Sequence, residues 1–173
     1  MHGQERQRVF EKLLREHQRI VFKVVSVYAR HPDDRNDLMQ EICVQLWRSF
    51  ASFDEERAHF STWMYRVALN VAISQVRRQS PRSAIESLQQ HHLDTIGDTQ
   101  GAPDYDERIE ALYGFIEQLD RLNRALILLY LEDRSYREIA DILGISETNV
   151  ATKISRIKQK LRNQMTGTEP AGA

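Results

Sequence analysis

Apolar residues in this chain recur every three or four positions on both sides of a central stretch that has no such period. That spacing belongs to α-helices buried along one stripe. Phe10, Leu14, His17, Val21, Val24 and Tyr28 follow one another in this way, which predicts one continuous helical stripe. The valines at 24, 25 and 27 oppose helix on propensity alone, because β-branched side chains lose rotamer freedom there. Pro32 and Asp33-Asp34 close this element and open another. Leu38, Ile42 and Leu46 make an i, i+4, i+8 row, widened by Met39, Cys43, Trp47 and Phe50. Asp37, Gln40, Glu41, Gln45 and Arg48 take the opposite face. A polar loop, Ser52–His59, precedes a helix that Ser61 or Thr62 is expected to cap. That helix runs to about Arg78 and carries Trp63, Met64, Val67 and Val71.

Ser80-Pro81 stops the pattern, and from there to about Asp106 no apolar period survives. A stretch with so little to bury cannot offset its ordering entropy and reads as a flexible acidic linker. Helical spacing resumes with Ile109, Leu112, Phe115, Ile116 and Leu119. Ala125–Leu131 has the composition of a buried strand, but no turn signal separates it from the helix-compatible Asp120–Arg124, so helix is expected. Nowhere does a two-residue alternation persist. The fold class expected is all-α: two small helical domains, residues 1–80 and 107–165, joined by linker 81–106 and followed by a tail, 166–173.

The formal net charge of −1 conceals a segregation. Between Arg66 and Arg82 stand four arginines and no acid, and between Ala151 and Met165 five basic residues and no acid. His91–Asp120 carries eight acids and one base. Two basic patches flanking an acidic stretch suit a polyanion partner. Cys43 is the only cysteine, which excludes an intramolecular disulfide and a multi-cysteine zinc site. The longest apolar run, Ala125–Leu131, has seven residues, far below a membrane span, and the polar N-terminus leads into no signal-type apolar block. No membrane insertion and a cytoplasmic location are expected.

The most specific local pattern is Ser135–Leu161. Ser135-Tyr136-Arg137-Glu138 is a capping box, in which the Ser hydroxyl takes the N3 amide and the Glu reaches back. Ile139, Ala140 and Leu143 give the following helix its apolar face, and Gly144 supplies the left-handed residue that ends it. Ile145 plugs the turn, and Ser146 opens a second helix with the buried row Val150, Ile154, Ile157 and Leu161. Helix, short turn with glycine, helix is the helix-turn-helix arrangement. The outer face of its second helix carries Asn149, Thr152, Lys153, Arg156 and Lys160. Lys and Arg pair with phosphates or guanine, Asn reads adenine, and Thr meets phosphate or a thymine methyl.

The first half narrows the reading. Asp37-Leu38-Met39-Gln40-Glu41-Ile42 with Leu46-Trp47, then Phe60-Ser61-Thr62-Trp63-Met64-Tyr65-Arg66-Val67-Ala68-Leu69-Asn70, then Arg77-Arg78, resembles region 2 of the extracytoplasmic-function (ECF) sigma factors of the sigma-70 family. Ser135–Ser146 and the basic helix after it resemble their region 4. The resemblance implies a sigma factor that directs promoter-specific transcription initiation. It implies core RNA polymerase (its β and β′ subunits), promoter DNA and an anti-sigma factor as partners, and no cofactor or metal. It places Asp37, Leu38, Gln40, Glu41, Gln45 and Trp47 on the coiled coil of the β′ subunit. Phe53 and Asn70 would hold a flipped base of the −10 element, with Arg66, Arg77 and Arg78 on phosphates. Thr148, Asn149, Thr152, Lys153, Arg156 and Lys160 would meet the −35 element. Trp47 and Trp63 also fall in apolar rows, where burial in the core is expected. Many members of the family have Leu-Pro where this chain has Leu119-Asp120, and a basic residue where it has Ala151.

A stand-alone helix-turn-helix transcriptional regulator is the alternative, but it leaves the Trp-Arg-Asn helix of the first half without a purpose. An enzyme is not expected. The six histidines show no HExxH or Cys/His ligand spacing, and there is no Gly-rich phosphate loop or nucleophile elbow. His17, on an apolar stripe, is expected at the core or its edge, not as a ligand.

Overall fold

The computed structural model describes residues 2–78 and 103–167, and the side chains of 2–75 and 107–166. The described residues form eight α-helices, one 3₁₀ turn and no strand. They divide into two compact units, Met1–Glu107 and Arg108–Ala173. Most of the expected linker lies outside the described residues. Its last part does not: a helix begins at Pro103, where proline's missing N–H costs nothing.

In the first unit α1 spans Gly3–Glu16, α2 Gln18–Tyr28, α3 Pro32–Ser49 and α4 Phe60–Arg78, with a 3₁₀ turn at Phe50–Ser52. The expected continuous stripe from Phe10 to Tyr28 is broken at His17, whose φ of −113° leaves the helix. His17 still donates its N–H to the Leu13 carbonyl, and its own carbonyl accepts from Ile20, so the chain turns without losing those bonds. Its ring lies 5.2 Å from that of Phe60, a half-buried edge position. α2, α3 and α4 pack on one another pairwise around Val24, Ile42, Leu46, Met64 and Ala68, all fully buried. Burying each valine of α2 yields roughly 1.5–3 kcal/mol, which outweighs a helix-propensity deficit of about 0.5 kcal/mol. α3 starts on Pro32, and the His31 Nδ1 accepts from the Asp33 N–H at 3.2 Å. α4 begins one residue before Ser61, so neither Ser61 nor Thr62 is its cap; the His59 carbonyl accepts from Trp63 N–H instead.

After these, α5 spans Pro103–Gln118, with its residues from Arg108 on in the second unit, followed there by α6 Arg121–Leu131, α7 Tyr136–Leu143 and α8 Glu147–Gly167. Asp120 separates α5 from α6: its carboxylate accepts from the Asn123 N–H at 2.8 Å and caps α6. Arg124 then reaches back and donates to the Leu119 and Glu117 carbonyls at 3.0 and 2.7 Å, closing the C-terminal end of α5. Two residues past the end of α6, Asp133 stands at φ 58°, a left-handed position that aspartate tolerates better than most residues. The seven apolar residues Ala125–Leu131 are helical; 125–129 are buried, while Leu131 is half exposed. α8 continues to Gly167, two residues into the expected tail.

Candidate nucleic-acid and partner interfaces

The turn between α7 and α8 is built as its sequence demands. Ser135 Oγ accepts from the Glu138 N–H at 3.1 Å. The Glu138 carboxylate turns to Arg134, 3.4 Å away, instead of reaching back to the Ser135 amide. Gly144 sits at φ 69°, and its N–H donates to the Ala140 carbonyl at 2.8 Å. Ser146 Oγ accepts from the Asn149 N–H and caps α8. Ile139, Ala140 and Ile142 are buried in α7, whereas Leu143, expected on that face, is half-buried.

α8 buries Val150, Ile154 and Ile157, while Leu161 stays half-buried at the end of the row. Thr148, Asn149, Thr152, Arg156 and Lys160 are exposed and Lys153 half-exposed. At 3.6 residues per turn these six side chains span about 140° of the helix, opposite the buried row. Lys158 is not among them. Its ammonium lies 4.4 Å from the centre of the Tyr130 ring, and its hydrogen bond to Tyr130 raises its pKa.

In the first unit the exposed arc of α3 carries Asp37, Gln40, Glu41, Val44 and Arg48, with half-buried Gln45 at one edge and Trp47 at the other. Gln45 Nε2 donates to Glu41 Oε1 at 3.2 Å. Leu38 does not belong to this face: it is 2% exposed, in the core row with Ile42 and Leu46. One helical step is 100°, enough to carry it from the surface at Asp37 into the interior. Trp47 departs from the expected core placement in the other direction, at 37% exposed. Val44, 42% exposed, stands in the middle of the arc. Its apolar side chain gave no sign of a surface role in the sequence.

Arg66 and Asn70 are exposed on α4, one turn apart, on the same side as Trp63. Trp63 to Asn70 is seven residues, about 10 Å along the axis. At the Trp63 end lies an aromatic cluster. Phe53 stacks on Phe50 at 6.0 Å, meets Phe60 edge-on at 5.4 Å and lies 5.1 Å from Trp63. Phe53 is thus a member of an internal cluster, half-buried, and not a ring standing free in the loop. Arg77 and Arg78 lie in the last turn of α4; their side chains are outside the described residues. α3 and α4 leave a groove of about 520 Å³ between them, lined by Glu41, Gln45, Ser49, Val67, Asn70, Val71, Ser74 and Gln75. It brings together two sets of residues that the sequence assigned to separate tasks. Among the described residues no group of three or more His, Cys, Asp or Glu side chains is placed to hold a metal ion. No helix among them is long and apolar enough to cross a membrane.

Comparison with known proteins gives this arrangement a family. The family model described as Sigma-70 region 2 matches residues 13–82, and that described as Sigma-70, region 4 matches residues 109–161. The chain belongs to the sigma-70 family, in its ECF group. It is 28% identical to the ECF RNA polymerase sigma factor SigW of Bacillus subtilis over 150 residues, covering 76% of this chain and 75% of that protein. It is 28% identical to the ECF RNA polymerase sigma-E factor of Escherichia coli over 170 residues, covering 92% and 87%. Among solved structures it resembles CnrH in complex with the cytosolic domain of CnrY, with a TM-score of 0.65 and 21% identity over 94% of this chain and 91% of that one. It also resembles the sigma factor RpoE in complex with the anti-sigma factor NepR from Bartonella quintana, with a TM-score of 0.64 and 19% identity over 92% and 97%. At these identities the structural likeness is one of fold. As a sigma factor the protein serves transcription initiation, with core RNA polymerase and promoter DNA as its partners.

Proposed function

We propose that the exposed arc of α3, with Asp37, Gln40, Glu41, Gln45 and Trp47, docks on the β′ coiled coil of core polymerase. Arg66, Asn70 and Phe53 hold the non-template strand of the −10 element, aided by Arg77 and Arg78. Thr148, Asn149, Thr152, Lys153, Arg156 and Lys160 read the −35 element in the major groove. Residues 1–80 then serve as the polymerase and −10 module and 107–165 as the −35 module. An anti-sigma factor that covers either module would silence the protein. The chain acts in the cytoplasm and contributes no catalytic group; the bond-making chemistry is the polymerase's.

The observation that carries this reading is the groove between α3 and α4, where Glu41 and Gln45 line one side and Asn70 the other. The test is run-off transcription from a cognate promoter with purified core polymerase, with and without the chain, alongside Glu41→Arg. Transcript is expected only when the chain is present. Glu41→Arg should abolish core binding while helicity is kept, because exposed substitutions seldom move stability by more than about 0.5 kcal/mol. Tight, sequence-specific duplex binding by the free chain, with no effect on transcription by core, would establish the stand-alone regulator instead.

A further inference from the structure

The match to region 2 begins at residue 13, so most of α1 lies outside it. Yet α1 reaches the proposed docking helix at one side chain. The buried Phe10 ring meets the Trp47 indole edge-on at 5.2 Å. The Arg6 guanidinium lies over the same indole, its carbon 4.7 Å from the ring centre. Arg6 Nη2 also donates to the Trp47 carbonyl at 3.3 Å. Arg6 Nε is buried and has no hydrogen-bond partner among the described residues. Among the described residues no carboxylate is paired with this guanidinium. The ring and the carbonyl of one residue, Trp47, set its direction.

Trp47 itself is only partly covered, at the edge of the arc that carries Gln40 and Glu41. An indole so exposed has several staggered rotamers open to it unless a neighbour selects one. We propose that Arg6 is a positioning residue: with Phe10 it holds the Trp47 indole in one rotamer at the rim of the docking face. α1 is thereby part of the polymerase-binding surface. This rests on the reading of α3 as that surface. Aromatic anchors dominate interface energetics, and an anchor fixed beforehand loses no rotamer entropy when the partner arrives.

Trp63→Phe leaves Trp47 as the only tryptophan of the two in the chain, so its fluorescence reports on this one contact. In that background Arg6→Ala should raise acrylamide quenching of Trp47, and Arg6→Lys, which keeps a cation over the ring, should largely restore the shielding. In the full chain with purified core polymerase, Arg6→Ala and Arg6→Met should weaken binding about two- to five-fold, the factor a surface cation–π contact carries. In a Trp47→Ala background the same substitutions should have no further effect. A merely structural role predicts the same loss in both backgrounds, and that result, or unchanged quenching in Arg6→Ala, overturns the proposal. Glu41→Arg separates the two levels. If it leaves core binding intact, α3 is not the docking face, even where quenching still shows Arg6 holding Trp47.

Discussion

On the proposed reading, Phe53 is the residue at which folding and promoter opening make competing demands, and substitution there separates them. Its ring touches those of Phe50, Phe60 and Trp63. Aromatic pairs contribute about 0.5–1.5 kcal/mol each beyond burial, and Phe→Ala at a fully buried site costs about 3–5 kcal/mol. Phe53 is half-buried, so about 2 kcal/mol is expected for Phe53→Ala, a fall in Tm of about 10 °C for a unit of this size. Phe53→Leu keeps most of the hydrocarbon in the cluster and should cost less than about 1.5 kcal/mol. It removes the flat π face, however, and base–aromatic stacking is worth about 1–3 kcal/mol. Phe53→Leu should therefore slow melting of the −10 element by about tenfold or more while the fold survives. Asn70→Ala, at an exposed position, should slow melting with no measurable change in stability. Urea denaturation gives the first quantity and time-resolved permanganate footprinting on duplex and pre-melted templates the second. Normal melting by Phe53→Leu together with slow melting by Asn70→Ala would confine Phe53 to the cluster and leave the base to α4 alone.

Arg156→Ala should cost about 1–3 kcal/mol of discrimination at the −35 element, whereas Lys158→Ala should change DNA affinity less, since its ammonium is engaged by Tyr130; competition gel shifts on the polymerase complex check both. Gly144→Ala meets no atom within 4 Å, so its cost is the left-handed backbone alone, about 1–2 kcal/mol, read as a lower urea midpoint with an unchanged m-value. Burial raises the Cys43 pKa, so at pH 8 less thiolate is present than in a free cysteine and iodoacetamide should react more slowly. Its alkylation should accelerate only at a higher pH than free cysteine requires, and a rate equal to that of the free amino acid would contradict the burial.

The helices were legible because a buried stripe leaves its period in the sequence, and the caps Ser135, Gly144 and Ser146 punctuate it. The break at His17 was not legible. The apolar spacing runs straight through it, with no glycine or proline to mark the turn. Leu38 shows a second limit. A motif read as a string puts it beside Asp37, but a helix sends neighbours 100° apart, and the core claims it. The cluster of Phe10, Trp47, Phe50, Phe53, Phe60 and Trp63 joins α1, α3, the loop and α4. Its members share no period, so only the packing reveals that Phe53 and Trp47 lean on the rest of the unit. Asp120 stands where many members of the family have the proline of Leu-Pro. In three dimensions it does what a proline at a helix entrance also does: it starts α6 after a stop.

The groove between α3 and α4 ties the two proposed tasks of the first unit together. Glu41 lines it beside Asn70, so a strand approaching Asn70 meets a carboxylate on the facing side. At physiological ionic strength charge acts over about 8 Å. A phosphate entering the groove of the free protein meets the Glu41 carboxylate on one side, while Arg66, exposed one turn from Asn70 on α4, sets a positive charge against it. When a partner covers Glu41 with a cation or a hydrogen-bond donor, the repulsion is removed while Asn70 stays open. On the proposed reading, docking on α3 would ease the approach of the displaced strand to the adjacent side of α4. If Glu41 has both tasks, the free sigma factor is expected to bind promoter DNA more weakly than its complex with core, and gel shifts with the two forms check this.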